Sequence, residues 1–390
     1  MTTDRSADAP STGEVPALAP GRKIPPIILR AAGTVRWSLP IMALEAVVGE
    51  DGSLFVTEGE AVIALEADGD VRWRHQAERP LGLLAAADGL LIHTEEHGRR
   101  LVARDQATGR TRWSLESNLW SVVPPVAMPN GDIIHQRHRY DARTTALCGL
   151  SSNGALLWSY EMPGIAPSGV LVMHDFIVAT EGGSLVGLDM GGARQWIADR
   201  HGFTSSGPVK RTGDLDRDGY FTCRPLAFGA GRILVAQRWY DGRNLLVFDP
   251  AARAVAPLQE LGRETVIPFE APIAVLNHPE LRVAGAIGGA LFVYDRAGRL
   301  LFRRTVPWKI VDIAGDSEGS MVVLISVKQS YWDKYRVSYE LHDACGLYGF
   351  DAHGNALFRW LAPGPMSGLM VLGRAGEVYC VSEARLWAIA

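Results

Sequence analysis

The chain has 390 residues, 47% of them apolar, with 39 basic against 43 acidic side chains and a formal charge of −4. It can therefore bury a large core, but it carries no concentrated basic face, which argues against nucleic acid as a partner. No window approaches the ~18 uninterrupted apolar residues of a membrane span, and Cys148, Cys223, Cys345 and Cys380 show no CxxC spacing, so the expectation is a cytoplasmic chain with reduced thiols and no membrane partner.

Residues 1–24, rich in Ala, Pro, Ser, Thr and acid, read as a disordered N-terminal tail, and a single domain is expected over 25–390. Within that domain one pattern recurs. A short apolar strand leads into a turn with glycine, and a large aromatic follows four residues later: Gly33 and Trp37, Gly69 and Trp73, Gly109 and Trp113, Gly154 and Trp158, Gly192 and Trp196, Gly298 and Phe302, Gly354 and Phe358. Segments such as IALEADGDVRW and FVYDRAGRLLF are hairpins in which the glycine takes positive φ and the aromatic faces a core. Upstream of each lies another pair of apolar runs, as in AVVGEDGSLFV and VAMPNGDIIHQ, so each unit is four strands. A degenerate copy, LLVFDPAARAVAPL, fits between Trp196 and Phe302 and brings the count to eight units; misreading residues 249–306 there would reduce it to seven. The last unit supplies only three strands before Ala390, and the segment from Gly33 to Leu39 offers the missing fourth. The prediction is an all-β, eight-bladed β-propeller of four-stranded blades, closed by pairing of its N- and C-terminal strands.

The signature ending in Gly-x-x-x-Trp resembles the repeat of pyrroloquinoline-quinone (PQQ)-like propeller proteins over nearly everything from Gly33 to Ala390. That resemblance implies the fold. It also implies a family holding both calcium-dependent quinone dehydrogenases, with the cofactor over the central funnel, and non-enzymatic binding or scaffolding propellers. This chain is much shorter than the dehydrogenases and has neither an adjacent cysteine pair nor an export signal, so PQQ is not the expected cofactor.

In a propeller the turns between second and third strands emerge on one face, the top, together with the connections between blades. Three blades carry long aromatic and charged insertions there: HQRHRYDARTTA (135–146), AQRWYDGRN (236–244) and VKQSYWDKYRVSYELHDAC (327–345). From these come the ligand-binding candidates Arg137, Arg139, Arg238, Trp239, Asp241, Trp332, Lys334 and Tyr335. Guanidinium forks suit carboxylate or phosphate, and rings suit flat groups. The plainer reading is that Arg–Asp pairs tie the insertions down. Trp120 and Trp308, at the starts of innermost strands, are added as channel-mouth candidates, with Lys309, Asp312 and Glu270 in similar places, whereas the repeated tryptophans are read as packing residues between blades.

The connection into blade five contains Asp214, Asp216 and Asp218, followed by Gly219 and Tyr220. Three alternate carboxylates, a glycine turn and a Tyr220 backbone carbonyl suit calcium, although Pro225 stands where an EF-hand needs glutamate. The alternative is an Asp-rich turn bonding its own backbone. His201, His138, Tyr140, Tyr240 and Asp333 are the candidate acid–base groups. The expected function is capture of a small anionic or aromatic ligand, or a peptide, at a calcium-stiffened top-face pocket. The alternative is an enzyme of lyase or cyclase type in the same pocket, with a PQQ-dependent oxidoreductase ranked last.

Overall fold

The computed structural model of the chain describes residues 29, 32–78, 82–116, 121, 123–128, 131–139, 144–163, 169–181, 184–199, 202–204, 220–221, 225–228, 231–239, 242–261, 273–276, 280, 282–287, 289–332, 338–364, 366–382 and 384–390. The segment 1–24, read above as a tail, lies outside them.

Alternating apolar runs punctuated by glycine turns form eight antiparallel sheets. Blades one to seven span residues 45–76, 82–116, 126–163, 171–204, 220–261, 273–305 and 309–361, and blade eight spans 366–389. The outer strand of blade eight is Val35–Leu39, paired with Arg385–Ile389 so that Trp37 faces Ala388 and Leu39 faces Leu386. Thr34 and Ala390 exchange two backbone hydrogen bonds of 2.8 Å. Eight buried apolar clusters occupy the eight junctions, including the one that joins blade eight to blade one through Tyr379, Leu386, Leu54 and Ile63. Every blade buries both faces against its neighbours, and the ring leaves as edges only the innermost strands around the axis and the outermost strands.

The recurring glycine and aromatic form a clip between blades. Trp37, Trp73 and Trp113 donate Nε1–H to the turn carbonyls of Ala67, Gln106 and Ser152 in the following blade, at 2.9, 2.8 and 2.7 Å. Gly109, at φ 69, shows why the turn needs glycine twice over: the backbone is left-handed, and a Cβ would lie 2.7 Å from the Trp73 ring. Where phenylalanine replaces tryptophan in blade six, Arg304 lies over the Phe302 ring and donates its Nε–H to the Gly354 carbonyl at 2.5 Å.

Blade five is the degenerate unit. Arg253 takes φ 50 where the other outer turns use glycine, and Pro257, opposite Leu246, stands in the aromatic's place. That turn cannot seat the Trp196 ring in the usual way. Instead blade four adds a fifth strand, Gly202–Thr204, which puts Phe203 5.2 Å from Trp196 and 6.2 Å from Phe248 in edge-on contacts. The long top insertions also differ from the loops expected of them. In blade seven they are largely strand, 12 residues in Met321–Trp332 and 13 in Ser338–Phe350, against 5 and 5 for the same strands of blade one.

Candidate functional site

The sequence-predicted residues that the structure describes lie toward the hairpin ends of blades three, five and seven or on and beside the innermost strand of blade seven. On blade three, strand Ile133–Arg139 carries His135, Arg137, His138 and Arg139. His138 is fully buried and its Nδ1 lies 2.9 Å from the Thr145 hydroxyl across the strand pair. Burial lowers its pKa, so the ring is neutral and sealed from bulk solvent. Arg137 is half-buried, with a buried Nε that has no hydrogen-bond partner. Arg139 pairs with Thr144, Arg238 with Arg243, Trp239 with Gly242, and Trp332 with Ser338, all at or next to hairpin tips.

Tyr220 pairs with Arg238 and Phe221 with Gln237, which ties the end of the Asp-rich connection to the hairpin of blade five. Trp308 is half-buried and packs against the apolar cluster between blades six and seven. Lys309 and Asp312 are half-buried on the innermost strand of blade seven. Trp120, Tyr140, His201, Asp214, Asp216, Asp218, Tyr240, Asp241, Glu270, Asp333, Lys334 and Tyr335 lie outside the described residues. Among the described residues no group of three His, Cys, Asp or Glu side chains is placed to hold a metal ion.

Register changes one comparison drawn from sequence. The Gln-Arg pairs of blades three and five match as motifs. Counted from the first pairs of their hairpins, Ile133 with Leu150 and Ile233 with Phe248, Arg238 takes the place of His138 instead of Arg137. A one-residue offset in a strand exchanges the two faces of the sheet.

Buried charge occupies the seams between blades, at a place sequence reading passed over. Leu91, Ile133 and Ile177 hold equivalent positions, each opposite the residue before the outer turn: Arg104, Leu150 and Leu188. Four residues further along those strands come Glu95, Arg137 and Glu181. Glu95 faces blade one. Its carboxylate lies 3.3 Å from Arg104 Nη2, 3.3 Å from Arg100 Nη1 and 3.9 Å from His75 Nε2, which reaches over from the outer strand of blade one. Arg104 Nε donates to His93 Nε2 at 2.9 Å, which leaves the His93 proton on Nδ1, where it is buried without a partner. Burial, followed by the positive charge of Arg104, holds His93 down to about 3, so it is neutral.

Glu181 repeats the arrangement between blades three and four. Tyr160 sits opposite Leu147 as His75 sits opposite Val62, and its hydroxyl bonds Glu181, with Arg194 alongside. Burial pushes Glu181 up to about 7 against the opposing pull of Arg194 and Tyr160. The signal available in sequence was Thr-Glu at the end of the second strand, as in VTEGE, HTEEH and ATEGG. In the first of these Glu58 pairs with Arg74 at 3.3 Å.

Among the described residues no helix is long and apolar enough to cross a membrane. A family described as outer membrane protein assembly factor BamB matches residues 27–164. No curated protein matches the chain. Among solved structures, BamB from Moraxella catarrhalis is 18% identical with a TM-score of 0.58, over 91% of this chain and 99% of that one. Saccharomyces cerevisiae Sqt1 is 10% identical with a TM-score of 0.61, over 93% and 97%. A europium-containing methanol dehydrogenase is 10% identical with a TM-score of 0.54, over 89% and 84%. At these identities the structural likeness speaks for fold and leaves activity open. The glycine–aromatic repeat and the ring of eight sheets make this chain an eight-bladed β-propeller, and within it residues 27–164 are similar to the family described as outer membrane protein assembly factor BamB.

Proposed function

We propose that the chain is a cytoplasmic binding propeller that captures a small anionic or aromatic ligand, or a peptide bearing such groups, at the top-face rim of blades three, five and seven. The observation that carries this reading is the lengthening of the hairpin of blade seven, together with the docking of Tyr220 beside Arg238. Long connections on a rigid scaffold are where such folds hold ligands. Arg137, Arg139, Arg238 and Lys334 supply cationic donors there, while Trp239, Trp332 and Tyr335 supply flat faces. A calcium ion on Asp214, Asp216, Asp218 and the Tyr220 carbonyl stiffens the connection into blade five. The family match to a protein assembly factor supports a polypeptide ligand. Buried thiols at Cys148, Cys345 and Cys380, none of them in a disulfide, are compatible with a reducing compartment.

The test is calorimetric titration of the full chain with carboxylate-bearing and aromatic compounds and acidic peptides, with and without calcium, while product formation is followed in parallel. Saturable binding, no consumption of ligand, and loss of about tenfold in affinity on Arg238→Ala support the reading. Turnover abolished by His201→Ala or Tyr240→Phe with binding retained would favour a lyase- or cyclase-type enzyme instead.

A further inference from the structure

The seam between blades two and three inverts the charge found in the seams on either side. At the register place where Glu95 and Glu181 stand, blade three carries Arg137. In the other two seams the preceding blade reaches across with His75 or Tyr160; the matching residue of blade two is Leu115, opposite Leu101. On blade three itself, the place held by Arg104 is Leu150. The places of His75, Tyr160 and Arg104 are therefore apolar here, and the place of Arg100, opposite Glu95, is taken by Ala146, opposite Arg137. No carboxylate among the described residues lies within ion-pair distance of Arg137, and its Nε is buried without a partner.

His135, two residues earlier on the same face of the strand, is 2% exposed, and its Nδ1 is likewise buried without a partner. Ile133, on that same face, packs against Ile92 and Leu101 of blade two, which fixes the seam into which the face points.

We propose that Arg137 and His135 form a slot for a small oxyanion, a carboxylate or phosphate group of the ligand, at the top of the seam between blades two and three. The Nε edge of a guanidinium is half of the fork that grips an oxyanion with two parallel hydrogen bonds. A neutral imidazole protonated on Nδ1 adds a third donor without adding a second charge, and burial, with the nearby Arg137 and His138, keeps His135 neutral by holding it down to about 3. An anion there restores the balance that Glu95 and Glu181 supply within the chain elsewhere, and the half-buried Arg137 side chain gives a way in from the top face. The slot deepens the rim reading, since it names the chemistry at one corner of that rim and rests on that reading for how the ligand arrives.

The experiment titrates the full chain with sodium acetate, inorganic phosphate and sodium chloride at one fixed ionic strength. The thermal midpoint and the imidazole nitrogen resonances of His135 are followed together. A saturable rise and a shift of the His135 signals with acetate or phosphate, but not chloride, is the expected result, and the oxyanion that saturates at the lower concentration identifies a carboxylate or a phosphate ligand. Arg137→Gln weakens the apparent affinity about tenfold or more, whereas Arg303→Gln, an equal loss of charge on the exposed outer strand of blade six, leaves it unchanged. Effects shared by all three anions without saturation, or equal affinity in Arg137→Gln, would overturn the slot and leave a buried water as the partner of both nitrogens. If Arg137→Gln does not fold, Arg137→Lys keeps the charge and removes the fork. A loss of about fivefold is then required, and unchanged affinity overturns the proposal. Peptide capture at the rim is measured separately, so that lost acetate and phosphate saturation with capture retained sinks the slot alone, and the reverse sinks the rim alone.

Discussion

The seam between blades one and two closes on Glu95, ringed by Arg100, Arg104 and His75. The neighbouring seam presents Arg137 at the same register place, with Leu150 and Leu115 where Arg104 and His75 stood and Ala146 in the place of Arg100. Both seams are filled below that level by the same kind of apolar cluster. The apolar part of a seam is dictated by the need of each blade to bury both faces, and it repeats around the ring. The polar end near the top face is free of that demand and varies in charge, which is where a propeller can acquire specificity without disturbing its packing.

The strongest way to break the comparison is to make the first seam resemble the second. Glu95→Ala leaves the buried Arg104 and the partly exposed Arg100 without their carboxylate, and a loss of about 3 kcal/mol in urea unfolding is expected, chiefly from Arg104. A cost near zero would mean that the network does not hold the seam.

Changing pH reads the seam between blades three and four. The folded chain holds the Glu181 proton up to about 7, above the ordinary 4.5, so the stability this group contributes is complete below pH 4.5 and falls away as pH rises through 7. The span corresponds to at most about 3 kcal/mol, and Glu181→Gln removes that slope from a series of melts. His93 and His135 act with the opposite sign. Both are held below the ordinary 6.5, so the unfolded chain binds protons that the fold refuses, and stability is lost as pH falls from 6.5 towards 3.

Phe203→Ala tests the seam between blades four and five, where the fifth strand compensates for the degenerate turn. The half-buried ring packs against Trp196 and Phe248, and its removal is expected to cost about 2 kcal/mol and to raise hydrogen exchange in blade five ahead of the other blades. The smallest effect belongs to Trp73→Phe, which keeps most of the packing but removes the Nε1–H bond to Gln106, for about 1 kcal/mol by differential scanning calorimetry. If the loss instead matches that of Glu95→Ala, the clip and not the buried charge governs the seam between blades one and two.

The glycine turns and the aromatics four residues beyond them were legible because both halves of the clip repeat locally, and Trp37, Trp73 and Trp113 occupy the interblade places that spacing assigns them. Phe203 was not legible, because a three-residue strand has too few alternations to show a period. Nor was the contact of His75 with Glu95, since the two lie in different blades and neither stands out from an ordinary strand end. The likeness of Gln136-Arg137 to Gln237-Arg238 was visible as a string of letters, but the register that gives the two arginines different places depends on where each hairpin begins to pair.

By itself the amino-acid sequence determined the unit and the closure of the ring, and it held the count to eight or seven according to the reading of residues 249–306, which the eight sheets of the structure settle. Alternation and turn chemistry are short-range properties, and eight copies leave one economical way to bury both faces of every sheet. Only the tertiary structure decided which charged groups share a seam and which are left without a counter-ion. Those pairings join residues brought together by the stacking of blades, and burial is what turns a modest surface charge such as Glu181 or Arg137 into a group that must be neutralised, partnered or filled.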